Sequence, residues 1–289
     1  MPAHGATDVA PIAFRRRTEQ DPRVSAHGTR STNPADFLVF ERRSRIQAPA
    51  AELFAWHLRP GAFERLTPPD DGTRVTARSG RIEDDSFRVD LSVPVLGSLR
   101  QTWKIRHEGY IAGTRFIDVM ERGPFAFWRH EHRAVPVSSR TSELLDHVDY
   151  ALPLGVLGRI AGRPLVERRL RPMFEHRHAV TAGDLAAHQA AGLDALDVRV
   201  DGAGHTPTGT QLVAFLLTGG HNVASNAAIV GYTPTPFERP DVQVTLARES
   251  AHVELANGAS STSTLTGDPV EDPRRVLAAI VALRRSHPA

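Results

Sequence analysis

The chain has 289 residues, is 40% apolar and 24% charged, and carries a formal net charge of +2. That composition excludes a disordered chain, offers no net-charge argument for nucleic acid, and fits one large domain or two modest ones. There is no cysteine and no run of eighteen apolar residues, which excludes disulfides, thiolate chemistry, cysteine-held metal clusters and a membrane-spanning helix.

Residues 1–35 are rich in Pro, Ala, Thr, Ser and Arg without a sustained period, which predicts a disordered leader. Arg15, Arg16 and Arg17 are followed by polar Thr18-Glu19-Gln20-Asp21, so no secretory signal is expected and a cytoplasmic location is. Phe37 to Ile46 reads as a strand. Pro49 to Leu58 reads as a helix with proline in its first turn, and Pro60-Gly61 ends it. Ala62 to Leu66 predicts a second short helix, stopped by Pro68-Pro69 and the turn residues Asp70-Asp71-Gly72.

Six strand-like segments follow: Arg74–Ile82, Phe87–Val95, Leu99–His107, Arg115–Glu121, Trp128–Val137 and Glu143–Leu152. Turn residues separate them, including Glu108-Gly109. Val89, Leu91, Val93 and Val95 alternate with Arg88, Asp90, Ser92 and Pro94, so the sheet has one buried and one wet face. Short connections imply antiparallel neighbours. After Pro153 the period becomes helical, with Val166, Leu170, Met173 and Phe174 on one face and Arg168, Arg171 and Glu175 opposite; Pro172 is expected to kink or split this helix. The predicted class is α+β, a curved antiparallel sheet wrapped around a long helix and enclosing a cavity.

Three stretches carry a resemblance: Trp56 to Pro69, Gly123 to His132, and Asp149 to Gly155. With the element order, they resemble the helix-grip superfamily called START-like or SRPBCC, which includes polyketide cyclases and lipid carriers. They are similar in particular to a subfamily fused in front of atypical short-chain dehydrogenase domains named as sugar-nucleotide epimerases. The resemblance implies a ligand-binding domain over residues 36–190. It implies no metal, and one cavity reused for many ligands.

Residues 195–289 read as a truncated or degenerate Rossmann-like segment. Leu196 to Val200 predicts a strand, Gly202 to Gly209 a phosphate-type turn, Thr210 to Thr218 a helix, and Asn222-Val223 the next strand. The glycine pattern is broken. A spacing of three from Gly202 meets His205 and Thr208, and a reading from Gly202 and Gly204 meets Pro207. Pro207 lacks a backbone donor where amides would cradle a pyrophosphate. Gly202, Gly204 and Gly209 are therefore degenerate cofactor-site candidates, and no cofactor is expected. Residues 224–270 show no clear pattern, and a helix is expected at Pro273–Arg285.

Strand parity supplies the site candidates. Trp103, Ile105 and His107 share a face, as do Phe116, Asp118 and Met120, then Trp128, His130 and His132, then Asp146, Val148 and Tyr150. Each set mixes apolar bulk with polar tips, as ligand pockets do. Trp103, His107, Phe116, Met120, Trp128, Tyr150 and Phe174 are the candidate ligand-binding residues. His130 or His132 with Asp118 is the candidate acid–base pair if the faces converge. The same histidines with His107 or Asp118 make a weaker three-ligand metal set, and metal is not expected. The reading is binding of a small hydrophobic or polyketide-like ligand without a dedicated catalytic centre. A polyketide cyclase or dehydratase is the alternative, and an NAD(P)-dependent epimerase or reductase the second.

Overall fold

Alternating side chains and short turns build the first sheet. Its strands are β1 (Leu38–Ile46), β2 (Arg74–Ser79), β3 (Arg88–Leu96), β4 (Leu99–Ile111), β5 (Arg115–Arg122), β6 (Phe127–Pro136) and β7 (Ser142–Ala151). A computed structural model describes residues 37–288 apart from Gly97 and Thr206, so the leader expected over residues 1–35 lies outside the described residues. The sheet order is β1-β7-β6-β5-β4-β3-β2, and every neighbouring pair is antiparallel. β1 closes beside β7 because α1 (Ala50–Leu58) and α2 (Ala62–Leu66) carry the chain across to β2 at the far edge. Pro49 stands just before α1, where its missing N–H costs nothing.

Two expectations, one on a turn and one on a helix, differ from the structure. The chain does not turn at Glu108-Gly109. β4 runs on to Ile111, and the turn follows it. Gly109, at φ +62°, instead sits in a register shift between Glu108 and Ile111 that bends the strand. Pro172 also does not break its helix. α3 (Gly155–Ala191) is continuous over 37 residues with Pro164 and Pro172 inside it. Both prolines are exposed, so the carbonyls they leave open face water. The buried stripe of α3 begins with Leu170 and Phe174 and lies against the sheet, while Arg168, Arg171 and Glu175 face out.

The segment after α3 folds throughout its described length. β8 (Asp197–Asp201), α4 (Pro207–Thr218), β9 (Asn222–Ser225), β10 (Val242–Leu246), β11 (Ser250–Leu255), β12 (Ser260–Thr264) and α5 (Glu271–Ser286) form a second sheet and its helices. Its order is β12-β11-β10-β8-β9. β8 pairs in parallel with β9 and β10, and β10, β11 and β12 form an antiparallel meander. This is a partial α/β arrangement. Residues 224–270 lacked a readable pattern because these strands are short and β12 is Ser/Thr-rich and partly exposed. Val198, Val200, Val242, Val244 and Val253, all fully buried, make the core with α4 and α5.

A buried ion pair joins the two sheets' helices. Arg65 of α2 donates from Nε and Nη2 to Asp184 of α3, both at 2.7 Å. Its Nη1 reaches Gln211 of α4 at 3.0 Å, and it also donates to the carbonyls of Pro269 and Val270. Arg274 of α5 adds a second cation to Asp184. Gly61, at φ +87°, allows α2 to lie directly on Ala214, because a Cβ there would overlap the α4 backbone.

Candidate functional site

The register decides which strand faces meet. Phe116 lies opposite His132, Asp118 opposite His130 and His107, and His132 opposite Asp146. Directly opposed residues share a face, so the four parity sets converge on one side of the sheet. His107, His130, His132 and Asp146 are all buried there. α3 adds His178, one turn beyond Phe174 on the same stripe, and α1 adds His57.

His130, His132 and His178 gather on two carboxylates, with His57 and His107 beside them. Asp146 Oδ1 lies 2.9 Å from His130 Nε2 and 2.9 Å from His132 Nδ1, and its Oδ2 meets His178 Nε2 at 2.7 Å. Asp118 Oδ2 lies 3.2 Å from His132 Nε2 and 3.9 Å from His130 Nδ1. The His130 and His132 rings are 3.8 Å apart. Phe116 stacks between His132 and His107, at 4.4 and 5.2 Å.

Burial and charge oppose each other here. Burial lowers His132, but the charge of Asp146 and the contacts with Asp118 outweigh it and raise the ring to about 9. His130 is held at about 4, first by burial and then by the neighbouring His132. His57 is held at about 4 chiefly by burial. Burial raises Asp118 and Asp146, yet the surrounding histidines keep both well below the usual carboxylate range. At neutral pH a charged His132 thus stands beside a neutral His130, an acid next to a base.

A cavity of about 340 Å³ opens beside this cluster. His57, His107, Asp118, His132 and Arg177 supply its polar wall, and residues such as Phe63, Phe87, Val89, Ile105 and Phe116 its apolar wall. Among the predicted ligand-binding residues, His107 and Phe116 line it. The structure puts Trp103, Met120, Trp128, Tyr150 and Phe174 elsewhere. Trp128, Tyr150 and Phe174 are core residues packed between the sheet and α3, with Met120 against them. Trp103 meets Trp128 edge-on at 6.2 Å. Of the candidate acid–base residues, Asp118 and His132 line the cavity and His130 sits behind them.

Sequence reasoning gave His57, His178 and Asp146 no role in the site and read Arg177 only as part of a basic stripe along the helix. For His178 a signal existed: Leu170, Phe174 and His178 recur every four residues along α3. His57 and Arg177 carry no such signal, because their neighbours come from distant strands.

In the turn after β8, Gly202 and Gly209 answer to the local backbone and its close approach. A Cβ on Gly209 would drive into the Ala203 carbonyl, so this glycine sets how closely α4 approaches the turn. Gly202 adopts φ +79°. The Gly204 N–H, however, already donates to Asn226 Oδ1 at 3.0 Å.

Comparison with known proteins follows from these features. No protein-family model and no curated protein matches the chain. Among solved structures, a nucleoside-diphosphate sugar epimerase from Corynebacterium glutamicum matches at 27% identity and TM-score 0.54, over 73% of this chain and 46% of that one. The chain therefore spans less than half the length of that relative. This likeness is one of fold, in a chain that packs a sheet against α3 and follows it with a second sheet built on β8. The Zhui aromatase/cyclase from Streptomyces sp. R1128 matches at 14% identity and TM-score 0.41, over 51% of this chain and 93% of that one. A START superfamily protein from Mycobacterium smegmatis matches at 16% and 0.39, over 50% and 94%. Among the described residues no helix is long and apolar enough to cross a membrane.

Proposed function

We propose that the START-like domain binds a small, largely apolar organic ligand. One observation carries this reading: a cavity of about 340 Å³ with a mostly apolar wall and a few convergent polar groups. Leu66, Phe87, Val89 and Ile105 give it volume for an aliphatic or aromatic body, and His132, Asp118 and Arg177 give it a polar end.

Native mass spectrometry of the freshly purified protein, followed by denaturing release, tests it. The expected result is a discrete bound organic mass. Val89→Trp, which fills the cavity, is expected to abolish capture while the protein stays folded. An unfilled protein that also ignores a panel of apolar and polyketide-like probes would sink the reading.

A second reading, cyclase- or dehydratase-type proton transfer on a polyketide-like ligand, is favoured by the placement of His132 and Asp118 on the cavity wall. His130→Ala separates the two. Loss of turnover with affinity kept supports catalysis, and equal loss of both supports plain binding.

A further inference from the structure

We propose that Asp118, His130 and His132 hold a divalent first-row transition cation, of the zinc or ferrous type, in the wall of the cavity. The ligand atoms these three residues offer all lie within 4.8 Å of one another. Around a cation of this kind, ligands about 2.1 Å from the metal stand roughly 3–3.5 Å apart. His132 Nε2 is already 3.2 Å from Asp118 Oδ2, and His130 Nδ1 is 3.9 Å from the same oxygen. A small side-chain rotation closes the set.

The opposite ring nitrogens supply the second argument. His130 Nε2 and His132 Nδ1 both lie 2.9 Å from Asp146 Oδ1. Asp146 is itself anchored by His178 Nε2 at 2.7 Å. A buried carboxylate behind two histidines fixes their orientation and makes their front nitrogens better donors, the outer-sphere arrangement that metal-ligating histidines use. Structural packing alone would not need one carboxylate oxygen to serve two rings whose other nitrogens face a second carboxylate.

Asp118 gives the third. His107 Nε2 lies 2.6 Å from its Oδ1, so three imidazoles gather on this one carboxylate and His107 stands ready as a fourth ligand.

The donor set selects the ion. Two imidazoles and one carboxylate suit zinc or ferrous iron, whereas calcium and magnesium prefer oxygen ligands. Asp118 and His132 line the cavity, so the open coordination position faces the space where a ligand sits. The proposal goes beyond the ligand-binding reading and stands without it, and its test uses no organic ligand.

The full chain, stripped with a chelator, is titrated with Co²⁺, an optically visible stand-in. The expected result is saturable one-to-one binding with visible d–d absorption. Asp118→Asn, which keeps the shape, and His132→Ala are each expected to weaken binding at least tenfold. His147→Ala, on the other face of the same sheet, is expected to leave it unchanged. Absence of saturable binding, or full affinity in folded Asp118→Asn, would overturn the proposal. If both variants unfold, X-ray absorption on the wild-type Co²⁺ complex decides. Two imidazole ligands support the site, and none removes it.

Discussion

Arg65 is 1% exposed and Asp184 fully buried, and each satisfies the other bidentately. Removing one partner strands a charge without water, which costs about 3–5 kcal/mol. Asp184→Leu is expected to lower unfolding stability by that amount in urea titration. The double variant Arg65→Met/Asp184→Leu is expected to recover much of it, because the charge stranded by the first substitution is gone too.

A half-buried and a buried histidine tie stability to pH. His188 stacks on Phe215 at 4.3 Å and is held at about 3 by burial, with His221, Arg59 and Arg65 adding to it. His221 is held at about 4 by burial and Arg59, and its Nδ1 accepts the Leu196 N–H. Both rings are neutral in the folded chain and protonate near 6.5 once it unfolds. Their contribution is intact above about pH 6.5 and is lost as pH falls toward 4 and then 3. Unfolding free energy followed from pH 7 to 4.5 is expected to drop by about 2 kcal/mol for each ring. His221→Asn, which keeps an acceptor but does not titrate, is expected to remove its share of the slope.

At the level of elements, alternation and turns were legible, and register was not. The sets Trp103-Ile105-His107 and Trp128-His130-His132 followed from parity alone. That Asp118 opposes His130, and Asp146 His132, is a property of strand pairing, which no spacing within one strand contains. The cavity depended further on α1, α2 and β2 arriving from outside those sets, which is why Trp128 and Tyr150 proved to be packing residues. Pro172 does not split α3, because at an exposed position the lost hydrogen bond leaves its carbonyl to water. Pro172→Ala is expected to stabilise the protein by about 1 kcal/mol or more in thermal unfolding, since it restores an N–H donor to a helix that already exists. Gly209→Ala is expected to do the opposite, by about 2 kcal/mol or more, because the turn and α4 would have to part.

For the whole molecule, the two sheets share an interior. Arg65, Asp184, Gln211 and Arg274 come from four helices spread over both sheets, and Gly61 seats α2 on α4. Calorimetry is expected to show one cooperative transition rather than two, and Gly61→Ala to lower its midpoint without splitting it.

Gly231 has one more consequence. It belongs to the connection from β9 to β10, packs on the side chain of Arg78, and forms part of the cavity wall. A ligand held in this cavity, as proposed above, would touch the connection between β9 and β10. Thermodynamic reciprocity then applies: a guest that quiets this connection is held more firmly by anything else that quiets it. Amide exchange across residues 226–241 is the place to watch for that conversation between the halves.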